Sequence, residues 1–105
     1  MEKTIKALCD YLLGYWEYEL DEDEVDDALF NEYFISKYGV DLEKEFNIGY
    51  QYSWKGAHIE LSSLLDENNS ELSQLLLEVV SVSSSKTNQN MKKIHTLLED
   101  LYKKI

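Results

Sequence analysis

Apolar residues recur every three or four positions through most of this chain, and no proline interrupts them. That spacing is the period of a helix face, and without proline nothing removes a backbone donor from a helix interior. Ile5, Leu8, Cys9, Leu12 and Tyr15 or Trp16 predict a first helix over 4–16, with Gly14 as a candidate stop near its end. A second helix is expected from near Asp21 or Asp23 to Tyr38, with carboxylates in its first turns to match the positive end of the helix dipole and Gly39 as its cap. Asp41 can cap a short third helix through Phe46, and Asn47-Ile48-Gly49 breaks the pattern.

Over 50–61 two readings compete. Tyr50, Tyr52 and Trp54 alternate, Lys55-Gly56 could turn, and Ala57, Ile59 and Leu61 alternate again, which describes a small β-hairpin at 50–61. Trp54, Ala57, Leu61, Leu64 and Leu65 also make one stripe of a helix from Ser53, and this reading is preferred because the stripe continues smoothly into Leu65. After a polar break at 66–69, Ser70 suits an N-cap for a helix with Leu72, Leu75, Leu76, Val79 and Val80 inward. A serine-rich loop over 81–89 leads to a last helix from about Asn90 to Lys104, with Met91, Ile94, Leu98, Leu101 and Ile105 inward. The fold expected is all-α: a compact bundle of about five helices in a single helical domain spanning 1–105.

The 105 residues suffice for one hydrophobic core and not two. A lone cysteine, Cys9, excludes an internal disulfide and fits a reducing compartment. The first residues lack the long apolar run of a secretory signal, and no stretch approaches the roughly 18 apolar residues that span a bilayer, so a cytoplasmic protein is expected. Charge says more. Twenty-one acidic residues stand against ten lysines, with no arginine, for a net charge of −11. That field opposes direct binding to a nucleic-acid backbone and to an anionic membrane, and it favours a basic partner whose approach it would steer. The plain alternative is that the charge serves solubility.

The charge is unevenly spread. No basic residue lies between Lys6 and Lys37, a span that holds Glu17, Glu19, Asp21, Glu22, Asp23, Glu24, Asp26, Asp27 and Glu32, interleaved with Tyr15, Trp16, Tyr18, Phe30, Tyr33, Phe34 and Tyr38. From Lys86 to the end there are five lysines and two acids. The acidic run reads either as a solvated, helix-capping face or as a surface that imitates a phosphate array and fills a basic cleft. In the second reading Glu17, Tyr18, Glu19, Asp21, Glu22, Asp23, Asp26, Asp27 and Tyr33 are the candidate partner contacts, the carboxylates pairing with Lys or Arg and the tyrosines anchoring. The second helix also carries more apolar surface than one stripe needs. Val25, Leu29 and Tyr33 form one row, Phe30, Phe34 and Tyr38 another, and Ala28 and Ile35 a third. Either this helix is central in the bundle or one aromatic row faces a partner.

Nothing points to catalysis. His58 and His95 lie near apolar stripes and read as core-edge residues, and Cys9 reads as packing. No Cys-x-x-Cys, His-Glu-x-x-His, Gly-x-Ser-x-Gly or phosphate-cradling glycine loop occurs. Asp21-Glu22-Asp23 opens like a calcium loop, yet Asp26 stands where the turn needs glycine. No catalytic residue, metal site or cofactor is expected. A DNA-reading helix would need a set of basic residues, and the first three helices hold one lysine each.

Leu8-Cys9-Asp10-Tyr11-Leu12-Leu13-Gly14, followed by an acidic helix start bearing Phe30, Tyr33 and Phe34, resembles the small helical immunity proteins of nuclease toxins, of the colicin-like type. The likeness covers about a third of the chain. It implies a helical bundle that plugs a basic, RNA-binding active site. Phage anti-defence proteins, anti-CRISPR inhibitors among them, share the short, acidic, motif-free character and would use the same physics on another basic groove. A third reading is a structural or adaptor bundle that forms a homodimer through the extra aromatic row of the second helix.

Overall fold

The structure, a computed structural model, describes residues 2–21, 23–50, 54–81 and 87–105, apart from the side chains of 87–89. Among these residues seven α-helices and one 3-10 turn form, and no strand. The all-α expectation holds, with more helices than the sequence suggested. The first division falls at Gly14. α1 (Glu2–Leu13) ends there because Gly14 takes φ 78°, a left-handed conformation that costs an L side chain about 1–2 kcal/mol. Its N–H still reaches the Asp10 carbonyl at 2.9 Å. The chain then restarts as α2 (Tyr15–Glu19), so the single helix expected over 4–16 is two.

α3 (Asp27–Tyr38) begins later than Asp21 or Asp23. The Asp21 carboxylate accepts from the backbone N–H of Asp23 at 3.1 Å, and the Asp21 carbonyl accepts from Glu24 at 3.0 Å. Aspartate bonding to nearby backbone favours turns over helix interiors, and the cap passes to Asp26, whose side chain accepts from Leu29 N at 2.8 Å. Gly39, at φ 72°, closes α3 as expected, with its N–H on the Ile35 carbonyl. α4 (Leu42–Phe46) is capped by Asp41, and left-handed Asn47 ends it.

α5 (Trp54–Leu64) settles the 50–61 ambiguity for helix among the described residues, which exclude 51–53. Lys55 and Gly56 lie inside its first turn rather than at a hairpin. Asp66, not Ser70, supplies the next cap, accepting from Asn68 N at the 3-10 turn Glu67–Asn69. Ser70 is already the first residue of α6 (Ser70–Ser81). α7 (Thr87–Lys104) starts before Asn90. Residues 82–86 of the expected serine-rich loop lie outside the described residues.

α1, α5, α6 and α7 each touch the next in a closed ring, α3 packs on α1, and α4 bridges α3 and α5. The radius of gyration, 13.4 Å, is close to the ~13 Å of a compact 100-residue chain. One contiguous core holds Leu8, Phe30, Phe34, Leu42, Ile48, Leu61, Leu76 and Ile94, all essentially inaccessible. α5 and α6 are clasped by small side chains: the Ser62 and Ser73 hydroxyls lie 2.6 Å apart, and each also donates to the other's carbonyl at 3.1 Å.

The rows of α3 sort in a way neither sequence alternative described. Phe30, Phe34 and Tyr38 are core, Val25 and Tyr33 are half-buried, and Leu29 and Ile35 face out. The helix is not buried all round, and the row that could have met a partner points inward. Met91, expected inward, is exposed. Among the described residues no helix is long and apolar enough to cross a membrane.

Candidate interaction surface and adjoining cavity

α2, the 20–26 connection and the first turn of α3 carry the candidate contacts. Glu17, Tyr18 and Glu19 are exposed on α2, Asp21 and Asp23 on the connection, and Asp26 and Asp27 at the start of α3. Glu22 lies outside the described residues. Among the described residues Lys93 pairs with Glu71 and His95 meets Glu99, and no such contact involves these acids. Tyr18 stands 90% exposed among them. Asp26 also serves as the α3 cap, and Asp27 lies close to Gly49.

Tyr33 is held differently from the other candidates. Its hydroxyl donates to the Asp10 carboxylate at 2.7 Å, its ring packs edge-on against Phe34, and Lys37 Nζ donates to its oxygen at 3.2 Å. Asp10 is wholly buried, and Tyr38 also donates to the same carboxylate oxygen. The Tyr38 and Tyr102 hydroxyls are 2.9 Å apart, so the network ties α1, α3 and α7. The second Asp10 oxygen has no hydrogen-bond partner. Burial pushes the Asp10 carboxyl above the usual range, opposed by the hydrogen bonds from Tyr38 and Tyr33 and by the charge of Lys37. Burial first, then the bond to Asp10, raises both tyrosine hydroxyls and keeps them protonated as donors. Sequence reading left Asp10 out of the core. The signal was there: it is the only charged residue in the apolar run from Ala7 to Tyr15.

Beside Glu17 a cavity of about 410 Å³ opens between the end of α1, α2, Tyr50 and α5. Its described wall includes the rings of Tyr11, Trp16, Tyr50 and Trp54, with His58 and Glu17. Trp16 is fixed by a bond from its Nε1 to the Tyr11 carbonyl at 3.3 Å and by packing edge-on against Phe30. His58 is 2% exposed, with Nδ1 at 2.5 Å from the Trp54 carbonyl and Nε2 buried without a partner. A carbonyl can only accept, so Nδ1 carries the proton and Nε2 keeps its lone pair. Burial lowers the His58 pKa and keeps the ring neutral, the Trp54 carbonyl acting the other way. The two histidines thus differ from the common reading: His58 is interior, and His95 is an exposed partner of Glu99 at 2.8 Å.

Cys9 is fully buried, and burial with Asp10 beside it pushes its thiol up to about 12, leaving it protonated. Among the described residues no group of three His, Cys, Asp or Glu side chains is placed to hold a metal ion. No family model, no curated protein and no solved structure matches the chain.

Proposed function

We propose that this chain is an immunity-type inhibitor: it binds a basic nuclease toxin through the acidic surface of α2, the 20–26 connection and the start of α3, and blocks access of nucleic acid to the toxin's active site. The observation that carries the reading is the exposure, without ion-pair partners among the described residues, of Glu17, Glu19, Asp21, Asp23 and Asp27 around an almost fully exposed Tyr18. Carboxylates left unpaired in the free protein are available to a partner's Lys and Arg, and an exposed tyrosine among them supplies contact area at little conformational cost. A phage anti-defence inhibitor would use the same surface on a different nucleic-acid-binding effector, so the identity of the partner decides between them.

The test avoids Asp26, whose side chain holds the α3 terminus. The tagged protein is used to capture partners at low and then high salt, and the captured protein is assayed for nuclease activity. A basic nuclease held at low salt, released at high salt and inhibited at equimolar protein is the expected result. A Glu19→Lys, Asp23→Lys, Tyr18→Ala variant should lose at least ten-fold in affinity while keeping its helical signal. Undiminished inhibition by that variant would remove the acidic surface from the mechanism.

A further inference from the structure

The cavity next to the acidic surface is built for one sign of charge. None of its described lining residues is cationic, and Glu17 is the acid at its rim. Its histidine adds no positive charge: burial keeps the His58 ring neutral, with Nδ1–H on the Trp54 carbonyl and Nε2 buried without a hydrogen-bond partner. Half of the remaining described lining residues are aromatic, Tyr11, Trp16, Tyr50 and Trp54, and ring faces attract cations. An anion would meet Glu17 and a net charge of −11. The rings have already drawn one cation: Lys55 Nζ stands 5.7 Å from the Trp54 ring centroid, although Lys55 does not line the cavity. The volume of about 410 Å³ falls in the range of about 300–1,000 Å³ found for ligand pockets, ample for one long side chain.

We infer that this cavity seats an arginine side chain of the basic partner, its guanidinium lying against the Trp16, Tyr50 and Trp54 rings and paired with Glu17. A planar, weakly hydrated guanidinium stacks on rings where a compact, strongly hydrated ammonium does not. That the arginine comes from a partner rests on the function proposed above. The preference of the cavity for guanidinium does not, and it is tested on this protein alone.

Trp16 and Trp54 both line the cavity and are the chain's only two tryptophans, so tryptophan emission reports on it directly. The protein is titrated with N-acetyl-argininamide, with the lysine analogue, and with N-acetyl-citrullinamide, which keeps the shape of arginine without its charge. The arginine compound should give a saturable change with a Kd on the order of 1–10 mM, the lysine analogue should bind at least five-fold more weakly, and the citrulline compound should give none. Glu17→Gln, confirmed as folded by circular dichroism, should weaken the arginine compound about three-fold, and Glu78→Gln, on α6, should leave it unchanged. An equal response to citrulline, equal binding of the lysine analogue, or no response to arginine would overturn the assignment. Such a failure leaves the acidic surface standing, because the Glu19, Asp23 and Tyr18 variant tests that surface without touching the cavity lining.

Discussion

Asp10 shows how one side chain can set the response of the molecule to pH. Its folded-state pKa lies above the unfolded value of about 3.9, so between those two values the native state holds the extra proton. The stability that this group contributes is full below the unfolded pKa and is lost as pH rises through the folded one. Lowering the pH from neutral toward the unfolded value should therefore raise the urea midpoint. Asp10→Asn, which keeps an acceptor for the Tyr38 hydroxyl, should flatten that dependence. Relief of surface repulsion acts in both proteins, so equal slopes would show that Asp10 does not titrate in this way. Phe34 marks the other extreme of residue-scale effect. It is fully buried against Phe30, Tyr33 and Tyr38, and Phe34→Ala should cost about 3–5 kcal/mol in chemical denaturation. Phe34→Asp, the substitution suited to a self-associating aromatic row, would place a charge in this core and report on folding instead.

The element scale is governed by helix ends. Asp26→Ala removes the acceptor for Leu29 N and should destabilise the protein by about 1 kcal/mol, read as a shift in melting temperature. The same change at Asp23, whose side chain caps nothing described, should leave the melting temperature within error. End signals were legible in the sequence where one residue type has one conformational role: Gly39 and Asp41 stand where the spacing put them. They were not legible where several residues of one type compete. Five acidic residues between Asp21 and Asp26 all suit a helix start, and only the turn formed by Asp21 shows why the last of them wins. The stripes of α6 and α7 were readable because Leu72, Leu76, Ile94 and Leu98 are simple apolar positions. Burial of Asp10 and Ser62 was not, because the partners that meet them stand on other helices, and His58, bonded within its own helix to the Trp54 carbonyl, gave no sign of its depth either. The cavity escaped for the same reason: it joins Trp16 to Trp54 and His58, far apart in the chain.

For the whole molecule, the separation of charge matters more than its sum. Exposed acids follow closely on one another along α2, the connection after it and the start of α3, at Glu17, Glu19, Asp21, Asp23, Glu24, Asp26 and Asp27, while α7 carries Lys92, Lys93, Lys103 and Lys104. A basic partner approaching such a field is oriented before it touches. Its association rate should fall at least ten-fold between about 20 and 200 mM salt, while dissociation, set by the seated contacts, changes far less. Stopped-flow mixing of the purified pair measures both. A salt effect confined to dissociation would mean that the surface acids act only once in contact.

The junction of Asp10 with Tyr33 and Tyr38 also bears on which packings this chain can adopt. Rings alone are forgiving: α3 could slide along α1 by one turn, about 5.4 Å, and still bury phenyl groups against leucines. It could not do so and keep two hydroxyl donors on a sunken carboxylate, because the displaced arrangement would strand a charge with no donor near it. The acid therefore acts as a register pin, making the slipped neighbours of the native packing costly even where its own net contribution to stability is small.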